Sequence, residues 1–184
     1  RCFRHNLDDP KCPTNKLFLE YYKAWGRLPN KTYSREEYHA GVGSNYMPSE
    51  HALLNGFKVY HQIGIDGASI CTVPVDGKYR PFYDDTVKLG WFCEWQALYL
   101  AGEVLWNINA DAENLLEEAN RLYYGPAWDG GMKEFRAQLT KACVEAAGCF
   151  GWGHGTHAGR VLARAGLLEQ FQTLLGKAEK AAEK

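Results

Sequence analysis

Short β-like runs alternate with helical runs over the first two-thirds of the chain, and this alternation is the strongest constraint on its fold. Arg1 to His5 reads as the end of a strand, Lys31 to His39 as a strand, and Gly67 to Val73 as a small-residue apolar strand. Between them, Leu17, Tyr21, Ala24 and Trp25 share one face of a helix from Lys16 to Trp25. Leu53, Leu54, Phe57, Tyr60 and Ile63 do the same in a helix capped by Ser49 and ending near Gln62. Strand starts near residues 1, 31 and 66 match the ~31-residue unit of a (β/α)₈ barrel. Helices between strands imply parallel pairing. Three such strands cannot close a barrel, and the chain opens directly on strand-like Arg1-Cys2-Phe3-Arg4. The expectation is an α/β protein: the C-terminal β/α units of a TIM-type barrel, with the missing N-terminal part of the barrel lying upstream as their partner.

The character changes after residue 85. A long helix is expected from Thr86 to Trp106, with Leu89, Phe92, Leu98, Tyr99, Leu105 and Trp106 turned inward. Asn109 or Asp111 caps the next, which runs through Leu115, Leu116, Ala119 and Leu122 to Tyr124 and stops at Gly125-Pro126. Further helices follow from Met132 to Ala147 and from about Thr156 onward, the last with Leu162, Leu167, Leu168, Phe171, Leu174 and Leu175 on its apolar face. The tail Lys177 to Lys184 offers no apolar anchor beyond alanine and is expected to fray. The division is residues 1–85, barrel units, and residues 86–184, the last barrel helix plus an all-helical extension.

Composition excludes several function classes. Charged residues at 23% against 46% hydrophobic describe a globular chain rather than a disordered one. A net charge of −1 argues against non-specific nucleic-acid binding. No apolar run approaches the ~18–20 residues needed to span a bilayer. Among the six cysteines, Cys2, Cys12, Cys71, Cys93, Cys143 and Cys149, no pair has CxxC spacing, which argues against a zinc ribbon or a thioredoxin motif. Cys2 with Cys12, or Cys143 with Cys149, would suit disulfides in an oxidising compartment; buried thiols are the plainer alternative.

Ligands of open α/β sheets and barrels sit at the C-terminal ends of the strands. In the second strand Tyr33, Arg35, Glu37 and His39 share one face, and Thr32, Ser34, Glu36 and Tyr38 the other. Polar groups pointing into a barrel mouth are costly unless they meet a ligand or each other. Glu37 is thus the candidate catalytic carboxylate, against a purely structural pairing with Arg35 or Arg4. Arg4 and His5 would orient a substrate or end the first strand in a salt bridge. Tyr38 and His39 would line the same subsite. His154-Gly155-Thr156-His157 has no third ligand nearby and reads as a capping turn. His51 and His61 lie on helices without an HExxH pattern. There is no phosphate loop, GxGxxG or GxSxG elbow, so nucleotide chemistry and serine hydrolysis are unsupported. No metal and no organic cofactor are expected.

Three blocks together resemble a known family. The first is Arg4-His5-Asn6-Leu7-Asp8-Asp9-Pro10 with Cys12-Pro13-Thr14-Asn15 and then Trp25. The second is Glu36-Glu37-Tyr38. The third, the most specific, is Tyr99-Leu100, Leu105-Trp106-Asn107, Asp111 and Tyr123-Tyr124-Gly125-Pro126-Ala127. Over roughly residues 1 to 145 they resemble the C-terminal part of a bacterial glycoside hydrolase-like family, long catalogued as a domain of unknown function, with members in glycoside hydrolase family 163. The resemblance implies a secreted or periplasmic barrel enzyme acting on β-linked N-acetylglucosamine-containing glycans, with Glu37 as one of two carboxylates. Where the family often has an acidic residue after the last of these strands, Ala68 to Val73 and the following residues carry none before Asp76. The second carboxylate would lie upstream or be lost. The alternative is a non-catalytic carbohydrate-binding or structural module.

Overall fold

The computed structural model describes residues 1–36, 48–70, 84–146, 148–149, 163 and 166–183, with only the backbone for 84–94. Six α-helices and two strands are described: α1 (Pro13–Trp25), β1 (Tyr33–Glu36), α2 (Glu50–Gln62), β2 (Gly67–Ile70), α3 (Asp84–Trp106), α4 (Ala112–Tyr124), α5 (Lys133–Glu145) and α6 (Leu168–Ala182). A one-turn π-helix, Trp128–Met132, joins α4 to α5.

This is not the expected set of barrel units. The described chain is mostly helical, and its only sheet is β1 beside β2, parallel, with Tyr33 opposite Gly67 and Glu36 opposite Ile70. Residues 1–5, expected as a strand, form a bent loop instead. Their backbone groups bond to the Asn15 side chain and so cannot serve a strand ladder. Two four-residue strands are marginal alone, and the pair is held by α2 and α3 packed against β2. No helix among the described residues is long and apolar enough to cross a membrane.

Helix α1 starts three residues earlier than its periodicity suggests. Cys12 caps it, its Sγ accepting from the Asn15 N–H at 3.4 Å, and Pro13 begins the first turn with φ already helical. Its end requires Gly26, where a Cβ would lie 2.0 Å from the Ile63 carbonyl oxygen. Helix α2 buries Leu53, Phe57 and Tyr60 as the sequence predicts. Each such burial is worth about 1.5–3 kcal/mol. With Leu7, Tyr22, Ala97, Ala101 and Val104 they form the first core, which crosses the expected boundary at residue 85.

Several faces are reversed relative to the sequence expectation. Leu17, Tyr21 and Trp25 of α1 are about half exposed, and Tyr22 is buried instead. On α3, Trp106 is 93% exposed and Leu105 and Tyr99 are open, while Gln96, Ala97, Leu100, Ala101 and Val104 are buried. Leu122 of α4 is also exposed. The small residues Ala97 and Ala101 let α3 approach α2 closely, and the large ones fall outside that contact.

A second core of Leu139, Cys143, Phe171 and Leu174 joins α5 to α6, and Phe3 packs against both cores. The Arg136 guanidinium of α5 pairs with Glu50 of α2 at 2.6 Å, both buried. The tail expected to fray is helical to Ala182, with Ala178 buried. It lies against Gly130 and Gly131; a Cβ on Gly131 would come within 2.5 Å of the Leu174 carbonyl oxygen.

Candidate metal centre

The first turn of α1 gathers four groups that ligate soft divalent cations. Cys2, His5, Cys12 and Cys149 place their ligand atoms all within 4.8 Å of one another. Cys2 Sγ lies 3.5 Å from His5 Nδ1, and Cys12 Sγ lies 3.5 Å from Cys149 Sγ. Around a tetrahedral zinc with Zn–S ≈ 2.3 Å and Zn–N ≈ 2.0–2.1 Å, the S–S edge is about 3.8 Å and the S–N edge about 3.6 Å. A disulfide would bring the sulfurs to ~2.05 Å. No disulfide joins Cys2, Cys12, Cys143 or Cys149, so neither suggested pairing is made and these four are free thiols, the plainer of the two readings. Cys71 and the side chain of Cys93 lie outside the described residues.

The two paired thiols differ in their electrostatics. Burial pushes the Cys12 thiol up to about 12 although the Asn15 N–H opposes it. At Cys149 burial also opposes ionisation, but hydrogen bonds from the Thr14 side chain, Cys12, the Thr14 backbone and Cys2 outweigh it and hold the thiol below its ordinary value. Cys12 and Cys149 therefore meet at hydrogen-bond range, Cys12 at the N-cap of α1 and Cys149 half-buried beside it. A divalent cation would replace those protons and leave a net charge of −1 on a three-thiolate, one-imidazole set.

The supports are built in. Asn15, fully buried, accepts the Cys2 N–H at 2.7 Å and donates to the carbonyls of Cys2, His5 and Asn6 at 3.0, 3.0 and 2.9 Å. Arg4, also buried, donates from Nη1 to the Ala146 and Gly148 carbonyls at 3.0 and 2.9 Å, next to Cys149. His51 Nε2 lies 3.0 Å from the Arg4 carbonyl oxygen.

Of the residues expected to form a sugar site, Arg4 and His5 are therefore found here, Arg4 as a backbone clamp and His5 as one of the four candidate ligands. Glu37, Tyr38 and His39 lie outside the described residues, as do His154 and His157. Glu36, the neighbour that sequence reasoning passed over, is buried and saturated. It pairs with Arg1 at 2.9 Å and accepts from Ser34 at 2.8 Å and from Tyr60. The sequence gives no expectation of a metal because no cysteine pair has CxxC spacing. The candidate set is drawn from residues 2–12 and from residue 149, and only Cys2-x-x-His5 with Cys12 carries a local signal. Comparison with protein-family models, with curated proteins and with solved structures finds no match for this chain.

Proposed function

We propose that the chain binds one zinc-like divalent cation through Cys2, His5, Cys12 and Cys149, and that the cation staples the N-terminal loop to the segment after α5. The convergence of four ligand atoms within 4.8 Å carries this reading. Four protein ligands fill a tetrahedron and leave no open position for substrate, so the role is structural rather than catalytic. The test is cobalt titration of the chelator-stripped chain. One cation per chain is expected, with cobalt–thiolate charge-transfer bands and the intense visible bands of tetrahedral cobalt. Absence of those bands, or their survival in the Cys12→Ser, Cys149→Ser double variant, would sink the proposal.

A second reading follows the family resemblance: the chain belongs to a secreted or periplasmic protein that handles β-linked N-acetylglucosamine-containing glycans, with Glu37 as a carboxylate. Exposed aromatics favour it. Tyr21 and Trp25 lie a helical turn apart on the open face of α1, and the Thr32 hydroxyl bonds the Trp25 carbonyl oxygen, which brings exposed Tyr33 to the same end. Flat aromatic faces of this kind stack on sugar rings. Titration with N-acetylglucosamine oligomers tests it. Saturable binding lost in Trp25→Ala supports glycan recognition, and product release lost in Glu37→Gln supports hydrolysis; no binding and no product rejects both.

A further inference from the structure

We infer that Asn15 is the positioning residue of this centre, the group that holds its N-terminal ligands at tetrahedral spacing before a cation arrives. The inference rests on the metal reading above.

A primary carboxamide offers two N–H donors and one carbonyl acceptor in a rigid plane. Asn15 uses both sides of it. Its oxygen takes the Cys2 N–H, and its nitrogen faces the carbonyl oxygens of Cys2, His5 and Asn6. The network fixes the orientation of the amide, because a flipped group would set its oxygen against three carbonyl oxygens and its nitrogen against an N–H. Three carbonyls drawn to one nitrogen force residues 2–6 into a tight bend. That bend puts Cys2 Sγ and His5 Nδ1 on the same side, 3.5 Å apart.

The anchor is itself rigid. Asn15 stands in the first turn of α1, and its own N–H donates to Cys12 Sγ at 3.4 Å. One residue thus bonds three of the four ligand-bearing residues, and its neighbour Thr14 bonds the fourth, Cys149. Aspartate would keep the acceptor but lose the donors and add a negative charge. Glutamine is one methylene too long for the same cradle, and serine has a single hydroxyl. Outer-shell groups of this kind set metal affinity by orienting the ligands.

A purely structural role for Asn15 makes a different prediction, and Asn55→Ala is the control. Asn55 braces the next part of the same loop, accepting from the Leu7 N–H at 2.7 Å and donating to Asp8 at 3.0 Å, and these bonds go to neither the candidate ligands nor Asn15. Zinc affinity is measured by competition with a chromophoric chelator, and the cobalt-loaded spectrum is recorded for wild type, Asn15→Ala, Asn15→Asp and Asn55→Ala. The Asn15 variants are expected to lose roughly 10–100-fold in affinity, with broadened visible cobalt bands. Asn55→Ala should keep the wild-type affinity and spectrum. If Asn15→Ala is unfolded without metal, the midpoint of zinc-induced folding, read by near-UV circular dichroism against that of Asn55→Ala, reports the same fold-change. Wild-type affinity in Asn15→Ala, or an equal loss in Asn55→Ala, overturns the inference and leaves the metal reading standing. A wild-type chain that takes up neither cobalt nor zinc overturns the metal reading itself.

Discussion

Arg4 Nη1 lies 2.9 Å from the carbonyl oxygen of Gly148, a single bond between residues 144 positions apart. Arg4 sits between Cys2 and His5, and Gly148 immediately precedes Cys149. The bond therefore ties together the two chain segments that form the candidate metal centre. A second bond from the same nitrogen to the Ala146 carbonyl makes the clamp bidentate on backbone.

Replacing Arg4 by methionine keeps most of the stem and removes the donors. The loss should be about 2–3 kcal/mol, since charged donors held on a buried stem are removed. The measurement is urea denaturation with and without zinc. The loss should be greater in the zinc-loaded form, because the clamp also places Cys149. An equal loss in both forms would detach Arg4 from the metal site.

Glu36→Gln tests the buried network around Arg1. Burial opposes ionisation of Glu36, but the Arg1 charge, with hydrogen bonds from Tyr60 and Ser34, outweighs it and holds the carboxyl below its ordinary value. Removing one partner of a buried pair costs about 3–5 kcal/mol. A carboxyl depressed in the folded state contributes stability above its unfolded pKa of ~4.3, and that contribution is lost as pH falls through the folded value. The gap between wild type and Glu36→Gln should therefore be full at neutral pH and shrink in acid, as urea denaturation at the two conditions would show.

Gly131 adopts φ +149°, and a Cβ there would meet the Leu174 carbonyl oxygen. Gly131→Ala should cost at least about 2 kcal/mol through backbone strain and displacement of α6. Hydrogen exchange should accelerate across 168–182 and stay unchanged in α2. Uniform acceleration would mean that the two cores do not separate.

Cysteine reactivity should separate core from centre. Cys143 lies in the second core, and burial pushes its thiol up to about 11. Cys149 is half-buried with a thiol held low. In the metal-free chain, alkylation at mildly alkaline pH should label Cys149 first and spare Cys143, and zinc should protect Cys149. Cys143→Ala should keep one bound zinc at a packing cost of about 1–2 kcal/mol. Labelling of Cys143 ahead of Cys149, read by peptide mass mapping, would reverse the assignment.

Much of the local structure was legible. Leu53, Phe57 and Tyr60 at helical spacing specified α2, which starts after Ser49 although the Ser49 side chain makes no capping bond, and Asp111 specified the start of α4, where its carboxylate accepts the Asn114 N–H at 3.1 Å. Both signals lie within a few residues. The first strand was misread because a short run of mixed residues looks extended whether it pairs or bends. What bends residues 1–5 is the side chain of Asn15, beyond the window in which periodicity is counted. Trp106 and Leu105 were misplaced for a related reason: spacing tells which residues share a face, and only the neighbouring element decides whether that face is covered.

The sequence by itself located most of the described helices and the segments of β1 and β2, because hydrophobic period, caps and breakers act over one or two turns, but it did not decide whether those segments belong to a barrel. Only the tertiary structure decided which side chains make up the candidate metal centre. Residues 2, 5, 12 and 149 meet because α5 docks through the Arg136–Glu50 pair and Arg4 clamps the chain that follows it. A tetrahedron of side chains is a relation between distances in space, and sequence spacing encodes it only when the ligands are close neighbours along the chain.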